Sequence, residues 1–285
     1  MRAFLRDYQM VAPQTLQDAL DLMHYEPGVW KPFSGGTDLM VLLEAGRLMH
    51  KKFVSLWGLG ELRGIEESPE FVTLGALTTY SEVLASPTIV NQYPLLARAA
   101  GETGGVATQN RGTLGGNIVN ASPAADSPPA LLAYEADLEL VSAEGPRWVP
   151  YADFHTGYKT TVLAPHEIVA RIRLPRRKPG WREYYRKVGT RKAQAISKVC
   201  LAAAALRDQG RIIRMRLALG SVAPAPLRCR HTEILLEGQR LSPSLVAKAR
   251  QQLMAEISPI DDLRSTEMYR RRVAANLLEE FLTSP

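Results

Sequence analysis

The chain of 285 residues holds two cysteines and five histidines, and no Cys-x-x-Cys pair occurs. That scarcity excludes a zinc site or an iron–sulfur cluster assembled from this chain alone, so any metal chemistry belongs to a partner. Cys200 lies inside an apolar run and reads as a small buried hydrophobe. Cys229, in PLRCRH, stands between two arginines, a setting that lowers a thiol pKa; the competing and preferred reading is structural. Long apolar runs are missing too. The longest, VCLAAAALR from Val199, is far too short to cross a bilayer. The opening MRAFLRDYQMVAPQ has no apolar segment and no small-residue cleavage site, so no signal peptide is expected and the cytoplasm is the expected location.

Acidic residues are nearly absent from one stretch. Between Arg171 and Lys192 ten basic residues face a single acid, Glu183, within a chain of net charge +6. Nucleic acid is one reading of such a stretch, but strand-like apolar residues interleave with the charges and no nucleic-acid module is recognisable. A solvated sheet face, an anionic cofactor and an acidic partner surface are the other readings.

What is present is a soluble globular composition, long enough for one large domain or two ordinary ones. TLQDALDLMHYE predicts a helix capped by Thr15, with Leu16, Ala19, Leu20 and Met23 on one face. VWKPF reads as a strand, SGGT as a tight turn and DLMVLLEA as a helix; FVSLW and FVTLGALT read as strands, TYSEVLA and PLLARAAGE as helices. PPALLAYEA is helical, and DLELVS and EIVARIRLP are strands. Composition shifts at RRKPGW, Arg176 to Trp181, which marks a boundary. Beyond it come three strands (EYYRKVG, ISKVCLAAAAL, IIRMRLALGSV) and two helices, the first capped by Ser242. In the last helix Met268, Val273, Leu277 and Leu278 are the expected apolar stripe, and its arginines the solvated face. The pattern is α+β throughout, a larger domain followed by a smaller one.

Two glycine-rich segments stand apart. KPFSGGTDL, Lys31 to Leu39, is strand, paired glycines, threonine, helix. Paired glycines bring backbone N–H groups against a ligand that any Cβ would obstruct, and a following helix N-terminus favours phosphate. Neither GxxxxGK[ST] nor GxGxxG is present, so an ordinary strand–turn–helix corner competes. TLGGNIVNASPAAD, Thr113 to Asp126, fits no helix or strand period. Two such turns together suit a pyrophosphate held from two sides, with Thr37 and Thr113 donating hydroxyls. Asn117, Asn120, Ser122 and Asp126 then form a polar wall, the carboxylate suited to the hydroxyls of a ribose or ribityl chain. A surface loop whose polar side chains satisfy their own backbone is the alternative.

The order and spacing of KPFSGGTDL, TLGGNIVNASPAAD, EIVARIRLP, KVGTRKAQAISKV and STEMYRRRVA resemble the FAD-binding subunit of the molybdenum hydroxylases over nearly the whole chain. FHTGYK and LALGSVAPAPLRC look most like the bacterial xanthine dehydrogenase version. The resemblance implies an FAD-binding domain of the vanillyl-alcohol-oxidase (PCMH) type over 1–176, in subdomains of about 1–55 and 56–176, and a C-terminal α+β domain over 177–285. It implies that Pro32, Phe33, Ser34, Gly35, Gly36, Thr37, Asp38 and Leu39 wrap the FAD pyrophosphate. Thr113, Gly115, Gly116 and Asn117 would form the second phosphate turn, and Asn120 and Asp126 would hold the sugar and ribityl region. Leu39 and Val169 would flank the isoalloxazine, with Lys187 approaching from the second domain. The chain departs from the family pattern in two places: Ser34 stands where alanine is common, and Val169 is smaller than the leucine of the xanthine enzymes.

The implied function is electron transfer within an oxidoreductase. Electrons would come from the iron–sulfur clusters of a small subunit and the molybdopterin of a large one, and leave to NAD+ or another acceptor. A cation beside the ring favours its reduced, anionic form, and Lys187 is the expected one. No residue is expected to act as an acid–base catalyst, and His155 is expected to be structural. An assembly module that has lost flavin would lack SGGT, TLGGN or Asp126, all of which are present. A stand-alone flavin oxidoreductase would need a catalytic base that no spacing singles out.

Overall fold

Short apolar runs separated by glycine turns build three main sheets in a computed structural model that describes residues 7–284. Residues 1–6 and Pro285, the outer edges of the two expected domains, lie outside them. The N-terminal layer is a parallel three-stranded sheet ordered β1 (Gln9–Val11), β3 (Lys52–Ser55), β2 (Lys31–Phe33). Helix α1 (Leu16–Tyr25) starts with the expected Thr15 cap, closed as a capping box with Asp18, and buries Ala19, Leu20 and Met23.

The second layer is antiparallel: β4 (Ile65–Glu67), β5 (Phe71–Gly75), β10 (Ile168–Pro175), β6 (Asp137–Ser142) and β7 (Gly145–Pro150), in that order. Helices α3 (Tyr80–Ala85), α4 (Pro87–Gln92), α5 (Pro94–Glu102) and α8 (Ser127–Ala133) pack with it around Leu74, Leu96, Leu131 and Ile172. Half of the ten basic residues of the stretch beginning in β10 are paired with acids among the described residues, and four of those five acids come from outside the stretch. Arg171 pairs with Glu139 at 2.6 Å, Arg173 with Asp137 at 2.9 Å and Arg176 with Glu67 at 2.7 Å. Arg177 meets Glu183.

The third layer holds β11 (Trp181–Val188), β12 (Val199–Asp208), β13 (Arg211–Gly220) and β14 (Leu227–Arg228), all antiparallel. β12 is buried on both faces, which is why it reads as an unbroken apolar run. Cys200, Ala202 and Ala204 join the core of the preceding domain; Leu201, Ala203 and Ala205 pack under α9 (Arg230–Leu236), α10 (Pro243–Glu256) and α11 (Glu267–Thr283). No helix among the described residues is long and apolar enough to cross a membrane.

The structure corrects several expectations. TLGGNIV is not irregular: Leu114–Val119 form α7, and the Thr113 hydroxyl caps it by accepting the Gly116 N–H at 3.1 Å. The glycine pair weakens the intrinsic helical signal, and the cap together with tertiary packing overrides it. In α11 the stripe is Ala274, Leu277, Leu278, Phe281 and Leu282, while Met268 is 68% exposed. Its arginines are not all solvated. Arg270 is buried, donating to the carbonyls of Lys198 and Ser221 and pairing with Asp262 at 2.7 Å, a use suited to a guanidinium fork. Cys229 is fully buried, and burial pushes its thiol pKa up rather than down; the neighbouring Arg228 is turned to Glu233 and Glu135.

Candidate cofactor site

Strand β2 delivers the first glycine turn to the end of the parallel sheet, and α2 (Leu39–Glu44) leaves from it. Gly36 sits at φ 73°, and a Cβ there would strike the Phe33 ring at 2.5 Å, so the turn closes over Phe33 only with glycine. At Gly35 a Cβ would lie 1.7 Å from the Arg111 carbonyl oxygen. The first turn therefore rests directly on the backbone that leads into the second.

The second turn comes from α7. Its Gly115 packs against Ala76, where a Cβ would approach within 2.6 Å. Gly116 faces the first turn, and a Cβ there would lie 2.9 Å from both Ser34 Oγ and Thr113 Oγ1. Those two hydroxyls are themselves 3.2 Å apart, across 79 positions of sequence. Ser34, the departure from the family's common alanine, thus ties the two turns together.

The turns open onto a cavity of about 460 Å3. Of the residues expected at the site, Pro32, Ser34, Gly35, Gly36, Thr37, Asp38, Leu39, Thr113, Gly115, Gly116, Asn117, Asn120 and Val169 line it. Asn117 is oriented from behind: its Oδ1 is 2.6 Å from the hydroxyl of Ser127, which is fully buried.

Phe33, Asp126 and Lys187 are not among the lining residues. Phe33 underlies Gly36. Asp126 and Lys187 hold each other: Nζ to Oδ2 is 2.7 Å, the other carboxylate oxygen accepts from Ser197 at 2.6 Å, and Nζ also donates to the Glu102 carbonyl at 2.8 Å. Burial raises the Asp126 pKa, and the Lys187 charge opposes that rise. This pair bridges the segment before α8 and strand β11, one from each expected domain.

Residues without a sequence signal complete the cavity. Leu62, Leu77, Leu163 and Ile168 add an apolar wall beside Val169, and Tyr80, Thr103 and Thr108 add another side. In sequence these leucines are indistinguishable from core. Lys31 and Lys159 also line it, and among the described residues neither forms an ion pair; the acid on the lining is Asp38. His155 is half-buried, its Nε2 3.0 Å from the Tyr151 hydroxyl, and burial lowers its pKa to about 4. A second depression, about 750 Å3, opens between α10 and α11, where Arg250 and Arg271 are paired with Glu279 and Glu267 and no glycine turn approaches.

The cradle fits FAD. A Cβ at Gly116 would fill space against two hydroxyls, Lys31, unpaired among the described residues and next to the first glycine turn, complements phosphate charge, and the apolar wall suits a flat ring. Hydroxyl-lined glycine turns beside such a wall, on this α+β frame, define an FAD-binding domain of the vanillyl-alcohol-oxidase (PCMH) type followed by a C-terminal domain.

Comparison with known proteins narrows this further. Residues 6–177 match the FAD binding domain in molybdopterin dehydrogenase, and residues 183–284 match the CO dehydrogenase flavoprotein C-terminal domain. The putative xanthine dehydrogenase FAD-binding subunit XdhB of Escherichia coli (strain K12) is 30% identical over 94% of this chain and 92% of its own length. The glyceraldehyde dehydrogenase medium chain of Sulfolobus acidocaldarius is 32% identical, covering 94% of each. A solved carbon monoxide dehydrogenase chain from Hydrogenophaga pseudoflava superposes with a TM-score of 0.92 at 28% identity, covering 96% of this chain and 95% of that one. The chain belongs to the FAD-binding medium subunits of the molybdenum hydroxylase family, flavoprotein components of multi-subunit oxidoreductases.

Proposed function

We propose that this subunit collects electrons from the iron–sulfur clusters of a small partner, fed by a molybdopterin-binding large partner, and delivers them to NAD+ or another acceptor in the cytoplasm. The medium-chain names of its relatives and the shortage of metal ligands in this chain support that division of labour. The observation that carries the reading is the meeting of the two glycine turns, hydroxyl to hydroxyl at 3.2 Å, on one cavity. Bound FAD supplies exchange between one- and two-electron transfer.

The chain's own residues hold and tune that group. Thr37 and one hydroxyl of the Ser34–Thr113 pair are offered to the pyrophosphate, Gly116 leaves the approach open, and Gly36 lets the first turn close over Phe33. Asn117, its amide fixed through Ser127, and Asn120 follow along the sugar and ribityl region. Leu39 and Val169, with Leu77 and Ile168, enclose the ring and exclude water. For Asp126 and Lys187 the hydrogen bonds favour a tie between domains over direct contact with the cofactor, since both carboxylate oxygens have protein partners. The division between domains falls near residue 176.

The test is anaerobic addition of NADH to the purified flavin-loaded chain. Bleaching of the flavin absorbance supports a nicotinamide acceptor, by reversal of the same transfer. A flavin that dithionite reduces and NADH leaves untouched refutes NAD+ as the acceptor.

A further inference from the structure

The cation expected beside the ring, Lys187, is neutralised by Asp126 and lies off the cavity wall. Another lysine lines that wall. Lys159 joins β8 (His155–Gly157) to β9 (Thr160–Thr161), and it lines the cavity together with Leu163, Ile168 and Val169. Its φ is 53°, in the left-handed region that favours glycine. A non-glycine residue there costs about 1–3 kcal/mol, and such strain persists where the surroundings enforce it, often at functional sites.

The surroundings here do enforce it. The hairpin's base is pinned by the Thr156 and Thr160 hydroxyls at 3.0 Å, and the Val162 N–H donates to the Phe154 carbonyl at 3.0 Å. Arg147 adds a clamp, donating to the Val162 carbonyl at 3.1 Å while it pairs with Glu167 at 2.6 Å. A strained, anchored hairpin thus presents a lysine to the cavity, on a lining shared with Leu163, Ile168 and Val169 a few residues on, and among the described residues that lysine has no acidic partner. The acid on the lining, Asp38, belongs to the first glycine turn.

We propose that Lys159 is the cation that faces the isoalloxazine and stabilises its reduced form. The inference rests on the FAD reading above. Reduction adds two electrons and one proton, which leaves one negative charge on the ring; an ammonium facing it favours that state over the neutral oxidised one. Because Lys159 is solvent-exposed, screening limits the effect to about tenfold in the reduction equilibrium, which for a two-electron couple is about 30 mV.

The experiment measures the midpoint potential of FAD bound to the full chain, by dye-equilibrated titration with dithionite, for wild type, Lys159→Gln, Lys159→Arg and Lys187→Gln. Lys159→Gln should move the midpoint negative by about 30 mV with flavin retained, and Lys159→Arg should restore it. Lys187→Gln should move it less, because that side chain lies off the cavity wall. An unchanged midpoint in Lys159→Gln, or a larger shift in Lys187→Gln, overturns the proposal. Loss of flavin from Lys159→Gln but not from Lys159→Arg also overturns it, making the lysine a binding contact. A wild-type chain that binds no FAD would instead bring down the reading of the site itself.

Discussion

Replacing Gly116 with alanine separates cofactor binding from folding. Gly116 sits in α7 at an ordinary helical φ, so the backbone accepts a side chain, and alanine improves helix propensity by about 1 kcal/mol. The added Cβ would lie 2.9 Å from Ser34 Oγ and Thr113 Oγ1, closer than methyl and hydroxyl tolerate, so both hydroxyls must rotate away. Rotation of Thr113 forfeits its cap on the Gly116 N–H, about 1 kcal/mol, which offsets the propensity gain. Net stability should therefore change little. The cradle loses the one hydroxyl donor that the Ser34–Thr113 pair can turn to the phosphate, about 1.5–3 kcal/mol for a bond to a charged group, which predicts roughly 10–100-fold weaker FAD binding. The assay is fluorescence titration of the flavin-free chain with FAD, alongside calorimetric Tm. Unchanged affinity at unchanged Tm would refute the assignment of these hydroxyls to the cofactor.

Gly35→Ala should do the reverse and act on folding, because its Cβ would lie 1.7 Å from a backbone carbonyl that cannot rotate away; the expected cost is about 1–3 kcal/mol or more, read as a fall in Tm. Asp126→Asn should destabilise by about 3–5 kcal/mol in chemical denaturation, since it leaves the Lys187 ammonium buried with only the Glu102 carbonyl and an amide; a loss under 1 kcal/mol would count against a buried ionic tie. His155 sets an acid limb. Its folded pKa of about 4 lies below the unfolded 6.5, so the unfolded chain takes up the proton first; stability is full above about pH 6.5, falls toward pH 4 and levels off below. Allowing for partial exposure, that limb is about 1–2 kcal/mol, and His155→Phe should flatten it in pH-dependent urea melts.

Local rules made much of this fold legible. Thr15 and Ser242 mark helix starts by capping chemistry, and both work as read. The first glycine pair was legible as a turn because paired glycines have few other uses between a strand and a helix. Helix α7 was hidden because its glycine pair depresses propensity, while the contact that requires Gly115, with Ala76, is made across the fold. The Asp126–Lys187 pair spans 61 positions, and its geometry depends on how β11 docks against α8; a sequence period cannot report that. Arg270 read as solvated because charge on a helix usually is, and only the strand-end carbonyls it serves explain its burial. Lys159 carried no signal, since left-handed backbone at a lysine becomes visible only in the structure.

The most direct test of the central claim is the visible absorption spectrum of the purified chain, followed by heat release and identification of what it carries. One FAD per chain, bound natively or taken up from solution, is the predicted result. A colourless chain that refuses added FAD would contradict the account and leave the two glycine turns as ordinary corners of the fold.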